Sequence, residues 1–320
     1  MSNIRIIHMS EDNLVAESAY TCLALGNFDG VHVGHQKLIK EAKQIALKKN
    51  SLCSIMTFSP HPKAVIGKND NYNNLITPWE TKSDILRELG VEQIFLVEFN
   101  YDFASVLPSD FVARYINSAN AIDVVIGEDF RYGYRGQGDP ASLESDGQLY
   151  GFNVTTIPSL MCGTEKVSSS LIRQLLNKGN ALEVNRLLNR PYQIRGIVVD
   201  GEKRGRKLGY PTANIKLSDN YLLPIKGVYL VRVIVDGEQV IGVMNIGYKP
   251  TFTEDAVEPT IEIHLLDFNK DIYGNHLSID ILDYIRSETK FDNKDALIER
   301  IKQDINVARL AFPKYYELLS

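Results

Sequence analysis

The first half of the chain alternates short apolar runs with segments of helical periodicity. The apolar runs at 20–25, 52–58, 93–99, 123–126 and 154–157 predict five β-strands. Between them, apolar residues recur at the three- and four-residue spacing of one helix face, as they do after residue 35 and over 78–89. Alternation of strand and helix is typical of a doubly wound parallel α/β sheet, whose ligands bind at the carboxyl ends of the strands.

The pattern changes at Arg190 and Pro191. From residue 192 to 285, short β-rich runs are separated by turn signals such as Asp236-Gly237, and this spacing predicts a small antiparallel barrel. A final amphipathic helix is predicted for 293–310. We therefore expect a first domain of residues 1–186, which includes the helix predicted after Ser168 and most of the helix predicted at 181–188, and a second domain of residues 187–320.

Composition narrows the class of protein. The 320 residues carry a net charge of −5, which argues against a protein that binds nucleic acid through its phosphates. The N-terminal segment lacks the apolar core of a signal peptide, and no apolar run approaches the length of a membrane span. We expect a cytoplasmic protein without nucleic-acid or membrane partners; the sequence identifies no protein partner. Its three separated cysteines are expected to be buried thiols, with a disulfide or metal role as the alternative.

Residues 26–35, GNFDGVHVGH, join the first predicted strand to a helix. Free N–H groups at the start of such a helix attract anions. His32 and His35 are three residues apart, so they share a face if the helix begins near His32. A zinc site, an acid–base pair and two core histidines are the alternatives, but neither an HExxH motif nor a cysteine cluster is present to complete a zinc site. The stretch therefore predicts a phosphate site.

The same stretch resembles the HxGH signature of the nucleotidyltransferase superfamily, which includes class I aminoacyl-tRNA synthetases. Residues 166–173, KVSSSLIR, resemble its second signature, with serine at 170 where threonine is usual. The resemblance implies adenylyl transfer from ATP, with His32, His35 and Arg173 as catalytic residues. It also implies that ATP phosphates are bound by Gly26, Asn27, Phe28, Asp29, Gly34, Ser168, Ser169 and Ser170. Taken alone, the serines also fit simple capping of a helix.

Two further loops resemble the FMN adenylyltransferase module of prokaryotic FAD synthetases. They are SPHP at 59–62 and GEDFRYGYRGQGD at 127–139. Aromatic faces and glycines suit a planar ring, and arginines suit a phosphate. The resemblance implies flavin binding by Ser59, His61, Pro62, Asp129, Phe130 and Arg131.

The segment 196–215, GIVVDGEKRGRKLGYPTANI, contains glycines and lysines but no P-loop motif. It resembles the riboflavin kinase barrel, in which a basic glycine loop closes over ATP. The resemblance implies that Gly201, Arg206, Gly209 and Pro211 bind ATP, and that Thr212 and Asn214 are ligands of Mg²⁺. Hydroxyl and amide oxygens are hard donors that suit this ion.

A kinase of this type needs a base for the riboflavin hydroxyl. In TIEIHLLDF, Glu262 and His264 alternate with apolar residues and so occupy the opposite strand face. Periodicity alone leaves Glu262 as an ordinary solvent-facing residue; its match to the family's glutamate implies the catalytic base. The resemblance also implies flavin-side roles for Arg286 and Phe291.

The resemblance covers nearly the whole chain and predicts a bifunctional riboflavin kinase and FAD synthetase. Such an enzyme phosphorylates riboflavin to FMN with MgATP, then adenylylates FMN with ATP to give FAD and pyrophosphate. Two alternatives remain open: another HxGH nucleotidyltransferase with a structural barrel, and a non-catalytic flavin-binding regulator.

Overall fold

A computed structural model describes residues 4–14, 16–67, 72–201, 205, 208–250, 257–291 and 293–315. By its internal packing the chain divides into two compact units, Met1–Ser169 and Ser170–Ser320. Each unit is built around its own sheet.

The first unit contains a six-stranded parallel sheet in the order β1-β4-β3-β2-β5-β6. Its strands are β1 (Arg5–Met9), β2 (Thr21–Leu25), β3 (Leu52–Ser59), β4 (Gln93–Glu98), β5 (Ala121–Gly127) and β6 (Asn153–Ile157). A small hairpin follows, formed by β7 (Met161–Cys162) and β8 (Glu165–Lys166). The helices are α1 (Val33–Lys49), α2 (Pro62–Val65), α3 (Trp79–Glu88), α4 (Tyr101–Ala104), α5 (Pro108–Asp110) and α6 (Pro140–Tyr150).

The prediction of a doubly wound parallel sheet is confirmed. All five residues of β2 are buried, as expected for a central strand whose sequence is apolar except for Thr21. Strands β3, β2 and β5 are neighbours, and their carboxyl ends therefore bring three loops to one edge of the sheet. The order also reverses between β2 and β5, which is where ligands bind in open sheets of this kind.

Several elements differ from the sequence-based expectation. Strand β1 was not predicted, because at the sheet edge three of its five side chains are exposed. Between β4 and β5, where the alternation of strand and helix predicts a helix, a short α-helical turn continues as a π-helix at Phe111–Ile116. The helix predicted over 78–89 is α3, which begins at Trp79 with Pro78 in the cap position and no side-chain hydrogen bond at the cap. Helix α6 was also missed, although Asp139 caps it through a capping box.

The second unit contains a closed six-stranded barrel, which confirms the second part of the fold prediction. Its strand order is β10-β13-β12-β11-β14-β9, with β9 and β10 paired to close it. The elements are α7 (Ser169–Asn177), α8 (Ala181–Leu188), β9 (Tyr192–Val199), β10 (Ala213–Leu217), β11 (Gly227–Val235), β12 (Glu238–Pro250), β13 (Val257–Leu265), β14 (His276–Arg286) and α9 (Lys294–Ala311). Strand β10 was not predicted as a strand, because Ile215 is the one strong strand former among its five residues.

Helix α8 packs against β9 and β14 of the barrel. The Asn185 side chain fixes this contact, because its amide nitrogen donates to the Ile281 carbonyl at 2.9 Å and its amide oxygen accepts from the Tyr192 N–H at 2.7 Å. The division by packing after Ser169 lies ahead of the boundary predicted at residue 187. Most of α7 and most of α8 lie between the two positions.

Candidate active sites

The GNFDGVHVGH turn follows β2 directly and has a strained backbone. Phe28 and Val31 have φ angles of 51° and 41°, in the left-handed region that β-branched and bulky residues rarely adopt. Both side chains are completely buried, so packing holds them in this conformation. The Phe28 side chain is therefore part of the core, and only its backbone is available to a nucleotide.

His32 is the N-cap of α1, and its ring Nδ1 accepts a hydrogen bond from the His35 N–H at 3.3 Å. The rings of His32 and His35 stack with centroids 3.7 Å apart and planes within 13°. Because Nδ1 of His32 accepts this hydrogen bond, the neutral His32 ring carries its proton on Nε2. A β-carbon at Gly34 would lie 3.1 Å from the His32 ring, so glycine leaves room for this arrangement. The two histidines share a face, as their spacing predicted.

The turn is held in place by two hydrogen bonds to one of its backbone oxygens. The Asn27 carbonyl accepts from the Thr57 hydroxyl at 3.0 Å and from Nζ of Lys82 at 3.3 Å. Lys82 lies on α3 and is only 7% exposed. Burial lowers the pKa of Lys82, and the nearby Asp29 carboxylate opposes that shift.

Asp29 is completely buried, and it connects the turn to two other segments. Its carboxylate accepts from the Thr77 N–H at 3.1 Å, just ahead of α3. Its carbonyl accepts from the Ser169 hydroxyl at 2.8 Å. The structure therefore brings Ser169 of the second signature to the first signature.

The other residues of the second signature lie on either side of Ser169. Ser168 precedes α7 and is half-buried, whereas Ser170 is exposed on that helix. Arg173 is buried on α7. Ser170 and Arg173 belong to the second unit by packing.

The SPHP loop begins at the carboxyl end of β3, beside the turn. Ser59 is exposed there. His61 caps α2 by accepting from the Lys63 N–H at 3.1 Å, and its ring stacks on Tyr72 with centroids 4.9 Å apart. Pro62 begins α2, so the loop predicted at SPHP ends in a short helix.

The GEDFR loop begins at the carboxyl end of β5. Asp129 forms an ion pair of 2.6 Å with Lys166. Phe130 is half-buried and stacks on Tyr132, with centroids 5.8 Å apart. Arg131 is exposed, and its guanidinium donates to the Phe130 carbonyl. This loop offers an aromatic surface and an accessible cation at the sheet edge.

In the barrel, the PTAN segment leads into β10 beside β13. Asn214 lies opposite Glu262 in the antiparallel register. The Thr212 hydroxyl donates to the Glu262 carboxylate at 3.4 Å. Ile261 and Ile263 are buried while Glu262 is half-buried, which confirms the predicted alternation.

The loop before β10 approaches these residues closely. A β-carbon at Gly201 would lie 2.1 Å from the Asn214 side chain, so a side chain at 201 would displace it. Gly209 has a φ of 84°, which glycine tolerates. Nδ1 of His264 lies 2.8 Å from the Pro211 carbonyl, which fixes the start of PTAN. Arg206 lies outside the described residues.

Arg286 is held by Asp304 of α9 through a bidentate ion pair. Its Nε lies 2.9 Å from Oδ1, and its Nη2 lies 2.8 Å from Oδ2. The guanidinium carbon lies 5.8 Å from the centre of the Phe291 ring, within cation–π range. The two residues predicted on the flavin side are therefore adjacent.

Two cavities meet at Thr212. One, of about 310 Å³, contains Glu262, Arg286 and Phe291 with apolar side chains of α9. The other, of about 340 Å³, is lined by Pro211, Thr212 and Ala213 and by residues 268–273. Thr212 lines both, so a molecule in either cavity can reach the Glu262–Thr212 pair.

Sequence reasoning missed three polar residues of these sites: Lys82, His264 as a backbone anchor, and Asp304. Lys82 left a signal, because it falls at helical spacing from Trp79 and Leu86 and so lies on the buried face of α3. No sequence pattern marks Asp304 on α9 as buried, because a carboxylate on an amphipathic helix is normally solvent-exposed.

Comparison with known proteins yields two family matches and many relatives. A family model described as FAD synthetase matches residues 15–171, and one described as riboflavin kinase matches residues 188–312. A protein of Bacillus subtilis named bifunctional riboflavin kinase/FMN adenylyltransferase is 43% identical, over 94% of this chain and 96% of its own. The protein of the same name from Escherichia coli is 35% identical over 98% of both chains.

A solved structure also covers both units. The crystal structure of a Streptococcus pneumoniae protein named macrolide-efflux protein is 34% identical, with a TM-score of 0.88, over 96% of this chain and 99% of that one. The efflux in that name refers to the pneumococcal protein alone. Within the described part of this chain, no helix has the length and apolar composition needed to cross a membrane.

Proposed function

Because the chain belongs to the family of bifunctional riboflavin kinase/FMN adenylyltransferases, we propose that its two reactions are carried by the two constellations described above. The chain phosphorylates riboflavin to FMN with ATP, and it adenylylates FMN with ATP to give FAD and pyrophosphate. The kinase reaction is assigned to residues 187–320 and the adenylyl transfer to residues 1–186, consistent with the ranges of the two family matches.

The position of Thr212 between two cavities is the observation that carries the kinase assignment. Riboflavin is assigned to the cavity with Arg286 and Phe291, and ATP to the cavity beside PTAN. Glu262 accepts the proton of the flavin 5′-hydroxyl as its oxygen bonds to the γ-phosphorus, and ADP leaves. Thr212, which donates to Glu262, lies where the two substrates would meet.

The donor atoms beside Glu262 suit Mg²⁺. Thr212 and Asn214 offer neutral oxygens, the Glu262 carboxylate lies 3.4 Å from the Thr212 hydroxyl, and nucleotide phosphates supply the remaining ligands that this ion prefers. When bound, Mg²⁺ neutralises charge on the phosphates. Thr212 and Asn214 are the residues we assign to hold it.

For adenylyl transfer, a phosphate oxygen of FMN attacks the α-phosphorus of ATP and pyrophosphate leaves. The positive end of the helix at the start of α1 and the Nε2–H of His32 are suited to hold the phosphates as charge develops. The loops after β3 and β5 offer surfaces for the flavin. The roles assigned to Ser170 and Arg173 rest on the resemblance of their motif alone.

The test separates the two reactions in one protein. Purified chain is incubated with riboflavin, ATP and Mg²⁺, and the flavins are followed by chromatography. Glu262→Ala is expected to stop FMN formation but to leave conversion of supplied FMN to FAD, whereas His32→Ala is expected to do the reverse. If either substitution abolishes both reactions in a folded protein, the division of labour is incorrect.

A further inference from the structure

Thr212 lies one residue ahead of the paired part of β10. The pairing of β10 with β13 begins at Ala213, which lies opposite Ile263. Continued by one residue, the same register brings Thr212 opposite His264. Because the pairing begins after Thr212, it does not by itself fix the peptide that joins Pro211 to Thr212.

The His264 side chain contacts this end of β10. Its Nδ1 lies 2.8 Å from the Pro211 carbonyl oxygen. A carbonyl oxygen can only accept a hydrogen bond, so Nδ1 carries the proton and donates it. The Tyr210 ring packs edge-on against the imidazole, with centroids 5.6 Å apart and planes at 80°. Two successive residues ahead of Thr212 therefore contact the same histidine.

The hydrogen bond from His264 fixes the one backbone torsion that Pro211 leaves free. The pyrrolidine ring sets φ of Pro211, whereas ψ decides where its carbonyl oxygen points. That oxygen and the Thr212 N–H belong to one planar peptide, so holding the oxygen sets the direction from which Thr212 projects. The Thr212 hydroxyl donates to Glu262 at 3.4 Å, which is long for a hydroxyl. A small rotation of this peptide is therefore enough to break the contact.

We propose that His264 is a positioning residue for riboflavin phosphorylation: its Nδ1–H holds the Pro211 carbonyl, so that the Thr212 hydroxyl stays beside Glu262 where the two cavities meet. The inference rests on the kinase function proposed for the barrel unit. His264 and Glu262 are two residues apart on β13 and share its polar face, and both line the cavity assigned to riboflavin. One strand thus carries the proposed base and the residue that positions its neighbour.

Two substitutions separate the hydrogen bond from the ring. Asparagine places an amide N–H where Nδ1 lies, because both nitrogens are bonded to Cγ, whereas phenylalanine keeps a ring that packs against Tyr210 but has no donor. His264→Phe is expected to lower kcat for riboflavin phosphorylation about tenfold or more, with the KM for riboflavin within about twofold of wild type. His264→Asn is expected to keep at least about a third of the wild-type kcat.

His276→Phe is the matched control, because His276 is exposed at the start of β14 in the same barrel. It is expected to phosphorylate riboflavin with wild-type kcat and KM. FAD formation from supplied FMN is the internal control and stays at the wild-type rate in every variant. Urea unfolding followed by circular dichroism gives the stability of each protein. A merely structural histidine would make kcat follow stability, whereas here it follows the donor, even where His264→Asn is the less stable protein.

The proton on Nδ1 can be observed without substrate or metal. In the wild-type chain labelled with ¹⁵N-histidine, NMR at alkaline pH distinguishes neutral rings protonated at Nδ1 from those protonated at Nε2. The ring signal that is missing from His264→Asn is expected to be of the Nδ1-protonated kind.

A missing signal of the Nε2-protonated kind overturns the inference. So does a wild-type kcat in His264→Phe, and so does a loss in His264→Asn as large as that in His264→Phe. If His264→Phe does not fold, His264→Gln takes its place with the same expected loss, because its amide lies one methylene beyond the position of Nδ1. If the wild-type chain forms no FMN from riboflavin, the proposed function fails instead, while the NMR signal still tests the hydrogen bond.

Discussion

The substitution Asp304→Asn measures how much the buried Asp304 carboxylate, which pairs with Arg286 and also with Arg300, contributes to the stability of the barrel unit. The Asp304 side chain is 4% exposed and that of Arg286 is 14% exposed. Asparagine removes the charge and leaves a buried guanidinium without its main partner. Breaking a buried pair in this way costs about 3–5 kcal/mol, and we expect the lower end because Arg286 retains some access to water.

The chain provides separate signals for its two units. Its single tryptophan, Trp79, lies on α3 in the first unit, so tryptophan fluorescence follows unfolding of that unit. Far-UV circular dichroism follows both. In urea, a loss of about 3 kcal/mol lowers the midpoint of the barrel transition by roughly 1 M, for a slope of roughly 3 kcal/mol per M. The fluorescence transition is expected to keep its midpoint.

Glu299→Gln on the same helix is the control. Glu299 pairs with Lys302 at 3.7 Å, and both side chains are more than half exposed. Such a pair contributes less than about 1 kcal/mol. A loss below about 1 kcal/mol for Asp304→Asn would refute the reasoning from burial. Equal shifts of the two transitions would show that the effect is not confined to the barrel unit.

Three further outcomes are expected. Gly34→Ala places a β-carbon 3.1 Å from the ring of the histidine two positions earlier, so FAD formation should fall about tenfold or more while FMN formation is unchanged. Burial raises the pKa of Cys22 and Cys53 to about 12, so a thiol reagent at pH 8 should modify only the half-buried Cys162 until denaturant exposes all three. Burial raises the pKa of Glu17, but hydrogen bonds hold it below its ordinary value of 4.5; the stability it contributes is therefore complete above that value and lost as the pH falls through the folded pKa. The destabilisation by Glu17→Gln, measured from urea midpoints, should accordingly be smaller at pH 3 than at pH 7.

Local sequence predicted the parts of the sites that depend on spacing. His32 and His35 share a face because three residues make nearly one helical turn, and Glu262 alternates with buried isoleucines because strand side chains alternate. Both patterns are properties of a single element. They can therefore be read without knowing what packs against that element.

What the sequence did not predict depends on partners distant along the chain. Lys82 contacts a carbonyl 55 residues away, and Asp304 pairs with an arginine 18 residues away. Asn185 joins a helix to strands of the barrel through backbone groups, for which no side-chain pattern exists. Strand β1 escaped notice because an edge strand needs fewer apolar residues than a central one.

Strand β10 both closes the barrel and carries Asn214 opposite Glu262. Without the pairing of β10 to β9 and β13, the proposed magnesium ligands would not lie beside the proposed base. After dilution from denaturant, the recovery of riboflavin phosphorylation therefore reports when the barrel closes. Kinase activity cannot return before the last strand of the barrel has paired, whereas the secondary structure measured by circular dichroism can.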